Sequence, residues 1–417
     1  MVAQTFSSLE AALKATAALD RDLKDPAILG HQMFSPGLDG AVPDLARRLN
    51  LGDMAQEKSN DRVCVVVTRT YDVGGHSKVA ADIVELLGPG RPVTIHTDAP
   101  SEAGYAPSFR VRRMAPRRRN HLEILLSADT LVGRILELYD LLSAIRPTRI
   151  FMLTHHFDMV AQIALWPFRG IVEYLHHADH LPTVGATLPW SAHVDLTWRC
   201  YGVCRAAGLN PIYTGMTVRH SIKPADVREV GRPKQPGSVR IATCGHVNKY
   251  RGVGQGRYRW ADYAVAALRW PGAELLHYGY ADEALRQEIR DALVLAGLDP
   301  EAYVFAGVIP SLAAELCASD VDAFLASYPE CGGKANLEAM SVGLPPIVPL
   351  DPDAAPLIRF DFPLDRWIET TAPEELPDAI GRALELRDEM RSAPNSVEVE
   401  LGRFEAYVAA PAAARTS

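Results

Sequence analysis

What most constrains this chain is an alternation of two patterns that occurs twice along it. At DRVCVVVTRT (61–70) a continuous β-branched run begins, of the kind that suits a strand buried on both faces, and YDVGGHSKVAADIVELL (71–87) follows as a glycine turn running into a helical pattern. Similar runs recur at RPVTIHT (91–97), RIFMLTHH (149–156) and GIVEYLHHADH (170–180), with LVGRILELYDLLSAI (131–145) as a helical pattern between them. A second series starts at SVRIATCGHV (238–247) and continues through AELLHYGY, YVFAGVIP, VDAFLAS and LPPIVPL, alternating with DYAVAALRW and EALRQEIRDALVLAG. Strands alternating with helices read as parallel sheets covered on both faces.

The segment KPADVREVGRPKQPGS, rich in proline, glycine and charge, separates the two series. The expected division is a helical extension over 1–59, a first α/β domain over 60–222, a linker at 223–238, a second α/β domain over 239–395 and a C-terminal helix and tail over 396–417. The expected fold class is α/β: two tandem Rossmann-like, doubly wound parallel-sheet domains with a deep cleft between them. Open sheets of this kind bind ligands at the carboxyl ends of their strands. A chain of 417 residues, 48% hydrophobic, is long enough for both cores.

The formal net charge of −8 argues against a general polyanion binder, so no nucleic-acid partner is expected. Six scattered cysteines, with no CxxC pair, suit a reducing compartment. The N-terminus lacks a basic leader with an apolar core, and no stretch approaches the ~18 apolar residues of a membrane span. The expected location is cytoplasmic, with any membrane met from its surface. The run FRVRRMAPRRRNH holds Arg110, Arg112, Arg113, Arg117, Arg118 and Arg119. It reads either as a solvated surface or as a contact for an anionic acceptor or an anionic lipid surface, where each arginine contributes about 1 kcal/mol.

The most specific stretch is YPECGGKANLEAMSVGLPPIV (328–348). The glycines Gly332 and Gly333 sit at the turn before a helix, where exposed amides and the positive end of the dipole favour a phosphate. Glu330 lies in the loop and Glu338 about one turn into the helix, so two carboxylates can flank a bound anion and accept hydroxyl hydrogen bonds from a sugar or ribose. In TCGHVNKYRG, His246, Lys249 and Arg251 lie at the corner after the first strand of the same domain. A diphosphate between sugar-binding carboxylates is the signature of a nucleotide sugar.

Glu330, CGGKANL, Glu338 and then AMSVGLPPIV resemble the retaining glycosyltransferases of the GT-B fold, family 4, which carry two glutamates separated by seven residues. The resemblance covers about residues 60–390 and is strongest over 300–350. It implies that Glu330 binds the hydroxyls of the donor sugar and Glu338 the ribose. Lys249, Arg251 and the amides of Gly332 and Gly333 would then stabilise the departing diphosphate, with His246, Gly279 and Lys334 in the same donor set. In the first domain it implies that Gly74 and Gly75 approach the donor phosphates, and that His176 or His177, in HHADH, contacts the sugar or assists proton movement. Two positions depart from the family pattern: CGG replaces glycine-phenylalanine-glycine, and His246 replaces an arginine, which makes phosphate binding partly dependent on the protonation of a histidine with a reference pKa of about 6.5. The implied partners are a nucleotide-sugar donor and a saccharide or lipid-linked acceptor. No cofactor or obligatory metal is expected.

Other readings of the same residues stay open. His155, His156, Asp158 and His176, His177, Asp179, His180 form two His-His-x-Asp groups with metal-ligand chemistry. GVGQGRYR imitates a dinucleotide fingerprint, but its glycines come too far after the strand. A nucleotide-sugar binder without turnover would keep the fold and lose the reaction. A sugar-nucleotide epimerase would need no acceptor.

Overall fold

The computed structural model describes residues 8–14, 31–53, 61–71, 75–88, 92–99, 121–178, 181–218, 234, 236–251, 256–351, 366–392 and 395–410. The chain divides into two compact units, Met1–Gly215 with Phe404–Ser417, and Met216–Arg403. No helix among the described residues is long and apolar enough to cross a membrane.

The first unit is built on a seven-stranded sheet. Its strands are β1 (Val63–Val67), β2 (Pro92–His96), β3 (Leu122–Leu125), β4 (Arg149–Leu153), β5 (Val172–His176), β6 (Ala192–Asp195) and β7 (Ile212–Tyr213), in the order β3-β2-β1-β4-β5-β6-β7. Every pairing is parallel. All five residues of β1, β2, β4 and β5 are buried, as strands covered by helices on both faces must be. The edge strand β3 leaves Leu122 and Leu125 exposed.

The helix Leu131–Ile145 turns Leu131, Ile135, Leu138 and Leu142 onto the sheet at helical spacing. Thr130 caps it by accepting from the Gly133 amide at 3.0 Å. The carboxylate of Glu10 accepts from the amides of Leu131 and Val132 at 3.0 and 2.9 Å, and Leu9 and Leu13 join the same core. Residues of the N-terminal extension therefore complete this unit; Val42 and Ala46, on the helix Pro36–Arg48, are buried in it too.

At the opposite end of the chain, the tail of the helix Asn395–Ala409 closes on β4 and β5. Arg149 forms a two-pronged pair with Glu173, Nε to Oε1 at 2.5 Å and Nη2 to Oε2 at 2.7 Å. Its Nη1 donates to the Val408 carbonyl at 2.7 Å, and the Tyr407 hydroxyl donates to Glu173 Oε2 at 2.8 Å. Residues 404–410 belong to the first unit through this buried polar knot.

The second unit carries a six-stranded parallel sheet: β8 (Arg240–His246), β9 (Glu274–Tyr280), β10 (Tyr303–Gly307), β11 (Ala323–Leu325), β12 (Pro346–Pro349) and β13 (Ile368–Thr370). Their order is β10-β9-β8-β11-β12-β13. Trp260, Tyr263, Leu285, Ile289 and Ile380 cover one face of it, with Leu312, Leu316 and Ala339 in a second cluster.

Both sheets wind outward from their first strand in one direction and then in the other. The order reverses between β1 and β4 in the first sheet and between β8 and β11 in the second. At such a reversal the connections leave to opposite sides and open a crevice at the carboxyl edge. The expected fold class, doubly wound parallel sheets in tandem, is the observed one. Strands β3, β6, β7 and β13 are additional to the runs read in the sequence; they are two to four residues long and flank the sheets.

Candidate functional site

In the second unit, the segments after β8 and β11 meet at the order reversal. Strand β8 ends at His246 and passes directly into the short helix Val247–Arg251. The loop after β11 leads to the helix Gly333–Ser341, whose N-cap, Gly332, offers no side chain to its first amides. The Glu330 amide donates to the Lys249 carbonyl at 3.2 Å, and Ser327 Oγ donates to the Glu330 carbonyl at 2.7 Å. These two bonds hold the glutamate's backbone against the cationic corner.

The carboxylate of Glu330 is half-buried and makes no hydrogen bond among the described residues, whereas Glu338 is buried to 1% exposure. Glu338 Oε2 accepts from the Leu312 amide at 3.2 Å, at the start of the neighbouring helix Leu312–Ala318. The paired glutamates therefore sit in unlike settings, one presented by a loop and one anchoring a helix. Gly333 opens the same helix, and Lys334 lies buried in its first turn.

The three basic candidates of the corner also separate. Arg251 donates through Nη1 and Nη2 to Asp282, each at 2.8 Å, so its charge is already matched. Lys249 is half-buried and has no ion-pair partner among the described residues. His246 stacks on Tyr280 with ring centres 5.3 Å apart. Burial first, and then the neighbouring Lys249 ammonium, lower its pKa against an opposing pull from Asp282. Together these effects favour the neutral form of the His246 ring.

Gly245 and Gly279 face each other across β8 and β9. Gly279 has φ +112°, and a Cβ there would overlap the Gly245 carbonyl oxygen and stand 2.9 Å from its carbon. Gly279 thus permits the close strand approach that places the corner. Gly279→Ala is expected to destabilise the second unit by about 2–4 kcal/mol, from a forbidden backbone conformation together with overpacking. Urea unfolding would check this, and an unchanged midpoint would show that the close approach is not required.

In the first unit, the carboxyl ends of β1, β4 and β5 bring together His76, His155 and His177. His76, near the start of the helix Gly75–Leu87, donates from Nε2 to the Leu153 carbonyl at 2.9 Å. Its ring stacks on His155 at 4.7 Å and lies 5.0 Å from His177. Burial is the first cause that lowers all three pKa values, His76 to about 4 and the other two well below the usual histidine value, and mutual repulsion adds to it for His155 and His177. These are neutral imidazoles, fit to give or accept hydrogen bonds.

His176 belongs elsewhere. It is fully buried, with Nδ1 3.0 Å from Asp195 Oδ1, while His177 joins the imidazole group. Adjacent residues at a strand end point to opposite faces, which separates the pair. The His155/His156/Asp158 group does not form a ligand set. Asp158 accepts from Thr68 Oγ1 and Thr97 Oγ1, both at 2.6 Å, and from the Ala161 amide at 3.0 Å, capping the helix Met159–Leu165. His76 was not among the candidates; its position directly after the glycine pair was the available signal. Gly74, Asp179, His180 and Arg110–Arg119 lie outside the described residues.

No family model matches this chain, and no curated protein is similar to it. Solved structures are. Anabaena Alr3699/HepE, in complex with UDP and glucose, superposes with a TM-score of 0.57 at 14% identity, over 84% of this chain and 97% of that one. A glycosyltransferase from Rickettsia africae ESF-5 gives 0.57 at 11% identity, over 84% and 99%. The lipopolysaccharide outer core galactosyltransferase WaaB, in its apo form, gives 0.52 at 12% identity, over 83% and 95%. At these identities the likeness is one of fold.

Proposed function

We propose that this chain is a glycosyltransferase that moves a sugar from a nucleotide-diphosphate donor to a hydroxyl of a saccharide or lipid-linked acceptor. The observation that carries this reading is the meeting, at the β8/β11 reversal, of the backbone segments that bear Glu330 and Lys249, just before the uncapped N-terminus of the helix Gly333–Ser341. A sugar with several hydroxyls beside a diphosphate needs this combination of an acceptor-only carboxylate and clustered donors. The fold shared with HepE, solved with UDP and glucose, supports it and makes uridine donors the first to test.

As the sugar–phosphate bond breaks, positive charge grows on the anomeric carbon and negative charge on the leaving diphosphate. Lys249 and the first-turn amides stabilise the leaving group, and Glu330 holds the sugar by its hydroxyls. Glu338, anchored at Leu312, fixes the helix and takes the ribose side. The family resemblance gives His177 the role of sugar contact or of passing the acceptor proton. His246, Gly279, Lys334 and Arg251 shape and brace the donor site, and the family resemblance assigns Gly74 and Gly75 to the donor phosphates. The reaction retains anomeric configuration, with no protein nucleophile assigned, and needs no metal at the reacting atoms. The product would enter a surface polysaccharide or glycoconjugate, made at the cytoplasmic face with Arg110–Arg119 toward an anionic acceptor or lipid.

A panel of UDP, GDP, ADP and dTDP sugars, followed by thermal shift with and without EDTA, tests the donor class. One nucleotide class should raise the melting temperature, with the same ligand-induced increment in chelator, and Lys249→Ala should reduce that increment. No increment with any nucleotide sugar at millimolar concentration would sink the reading. Acceptor-dependent donor consumption separates a transferase from an epimerase, which would interconvert free donors, and from a binder, which would consume nothing.

A further inference from the structure

On the far side of β5 from His177, four side chains converge that no part of the transfer reaction uses. His176 ends β5, His193 and Asp195 lie on β6, and Cys204 lies on the helix Trp198–Ala206. One ligand atom from each lies within 4.8 Å of all the others. Asp195 Oδ1 is 3.0 Å from His176 Nδ1 and 3.1 Å from His193 Nε2. Cys204 Sγ is 3.5 Å from each of those nitrogens and 3.7 Å from Asp195 Oδ1.

These separations are five of the six edges of a small tetrahedron. Ligands at the usual zinc distances, with tetrahedral angles, stand roughly 3.3 Å apart for nitrogen and oxygen and roughly 3.5–3.7 Å apart where sulfur is one of the pair. Both imidazoles and the thiol converge on one carboxylate oxygen, while Asp195 Oδ2 is buried with no hydrogen-bond partner among the described residues. The side chains of His176 and Asp195 are 0% exposed and that of His193 10%. Tyr174 packs against both imidazoles, with ring centres 5.7 and 5.2 Å away.

We propose that His176, His193, Asp195 and Cys204 form a tetrahedral binding site for a zinc ion in the first unit. Two nitrogens, one oxygen and one thiolate match the borderline softness of zinc, and four protein ligands make the site structural and closed to substrate. On binding, the ring protons that face Asp195 shift to the other imidazole nitrogens, and each imidazole gives a lone pair, from Nδ1 of His176 and Nε2 of His193. Asp195 binds as carboxylate. Cys204 loses its thiol proton to solvent as the sulfur–zinc bond forms, so the step releases one proton and changes no oxidation state. The ion would tie β5, β6 and the helix after them, and fix the strand end that carries His177.

The test uses the full chain, free of any histidine tag, dialysed against Zn²⁺ and then against metal-free buffer. Elemental analysis should find about one zinc per chain, and Cys204→Ser and His193→Ala should each retain less than a fifth of that. Cobalt added to the apo protein should give a near-ultraviolet thiolate-to-metal band and strong visible bands of four-coordinate cobalt, the first absent in Cys204→Ser. The cobalt spectrum reads the wild type itself, so the test does not depend on a variant folding. Wild type that holds no zinc, or a cobalt spectrum without the thiolate band, would reduce the cluster to a hydrogen-bonded network and overturn the proposal.

Discussion

Glu330→Ala is expected to lower kcat/KM for sugar transfer by roughly 10²–10³-fold, the usual cost of removing one preorganised polar group from a reacting site, with the fold unchanged. The fold should survive because this residue's structural bonds are made by its backbone. Its amide reaches the Lys249 carbonyl and its carbonyl receives Ser327, and alanine keeps both. The carboxylate makes no hydrogen bond among the described residues, so removing it orphans no buried partner. Glu338→Ala should behave differently, losing stability as well as activity, because it frees the Leu312 amide at a helix start. Steady-state kinetics beside a thermal melt of both variants reads the difference. Unchanged kinetics in Glu330→Ala would remove this residue from the site and with it the main support for the transferase reading.

The second large effect concerns stability. Glu173→Ala should destabilise the first unit by about 3–5 kcal/mol, because it leaves the Arg149 guanidinium buried without its counter-charge. Arg149 is 6% and Glu173 5% exposed, so water cannot take over the carboxylate's role. The same change removes the acceptor for the Tyr407 hydroxyl and loosens residues 404–410. Protease should then cut the C-terminal helix at concentrations that spare the wild type. Replacing both partners with apolar residues of similar volume should restore much of the stability, since the penalty is that of an uncompensated charge. A loss under about 1 kcal/mol in the single variant, measured by urea unfolding, would show that the tail carbonyls alone satisfy Arg149.

The central strands were legible because burial on both faces forces an unbroken apolar run, as in VCVVV of β1 and RIFML of β4. Strand β6 was not, because AHVD alternates polar groups, whose partners His176 and Cys204 come from other elements of the fold. The Glu330–Gly333 turn was legible because a short strand, a glycine pair and an apolar-periodic helix follow one another locally. Arg251 was not: Asp282, thirty-one residues on, is what takes its charge away from the anion corner.

The sequence by itself therefore determined what short-range pattern can carry: two series of strands and helices, the parallel winding that such alternation requires, and the loop that presents Glu330. Tertiary structure alone decided which groups share a space. It separated His176 from His177 by strand alternation, paired Arg251 with Asp282, spent Asp158 on two threonines and a helix cap, and gathered His176, His193, Asp195 and Cys204 from two strands and a helix. The physical reason is range: backbone pattern is set by neighbours a few residues apart, whereas the charge, protonation and partners of a side chain are set by whatever folding brings within about 4 Å of it.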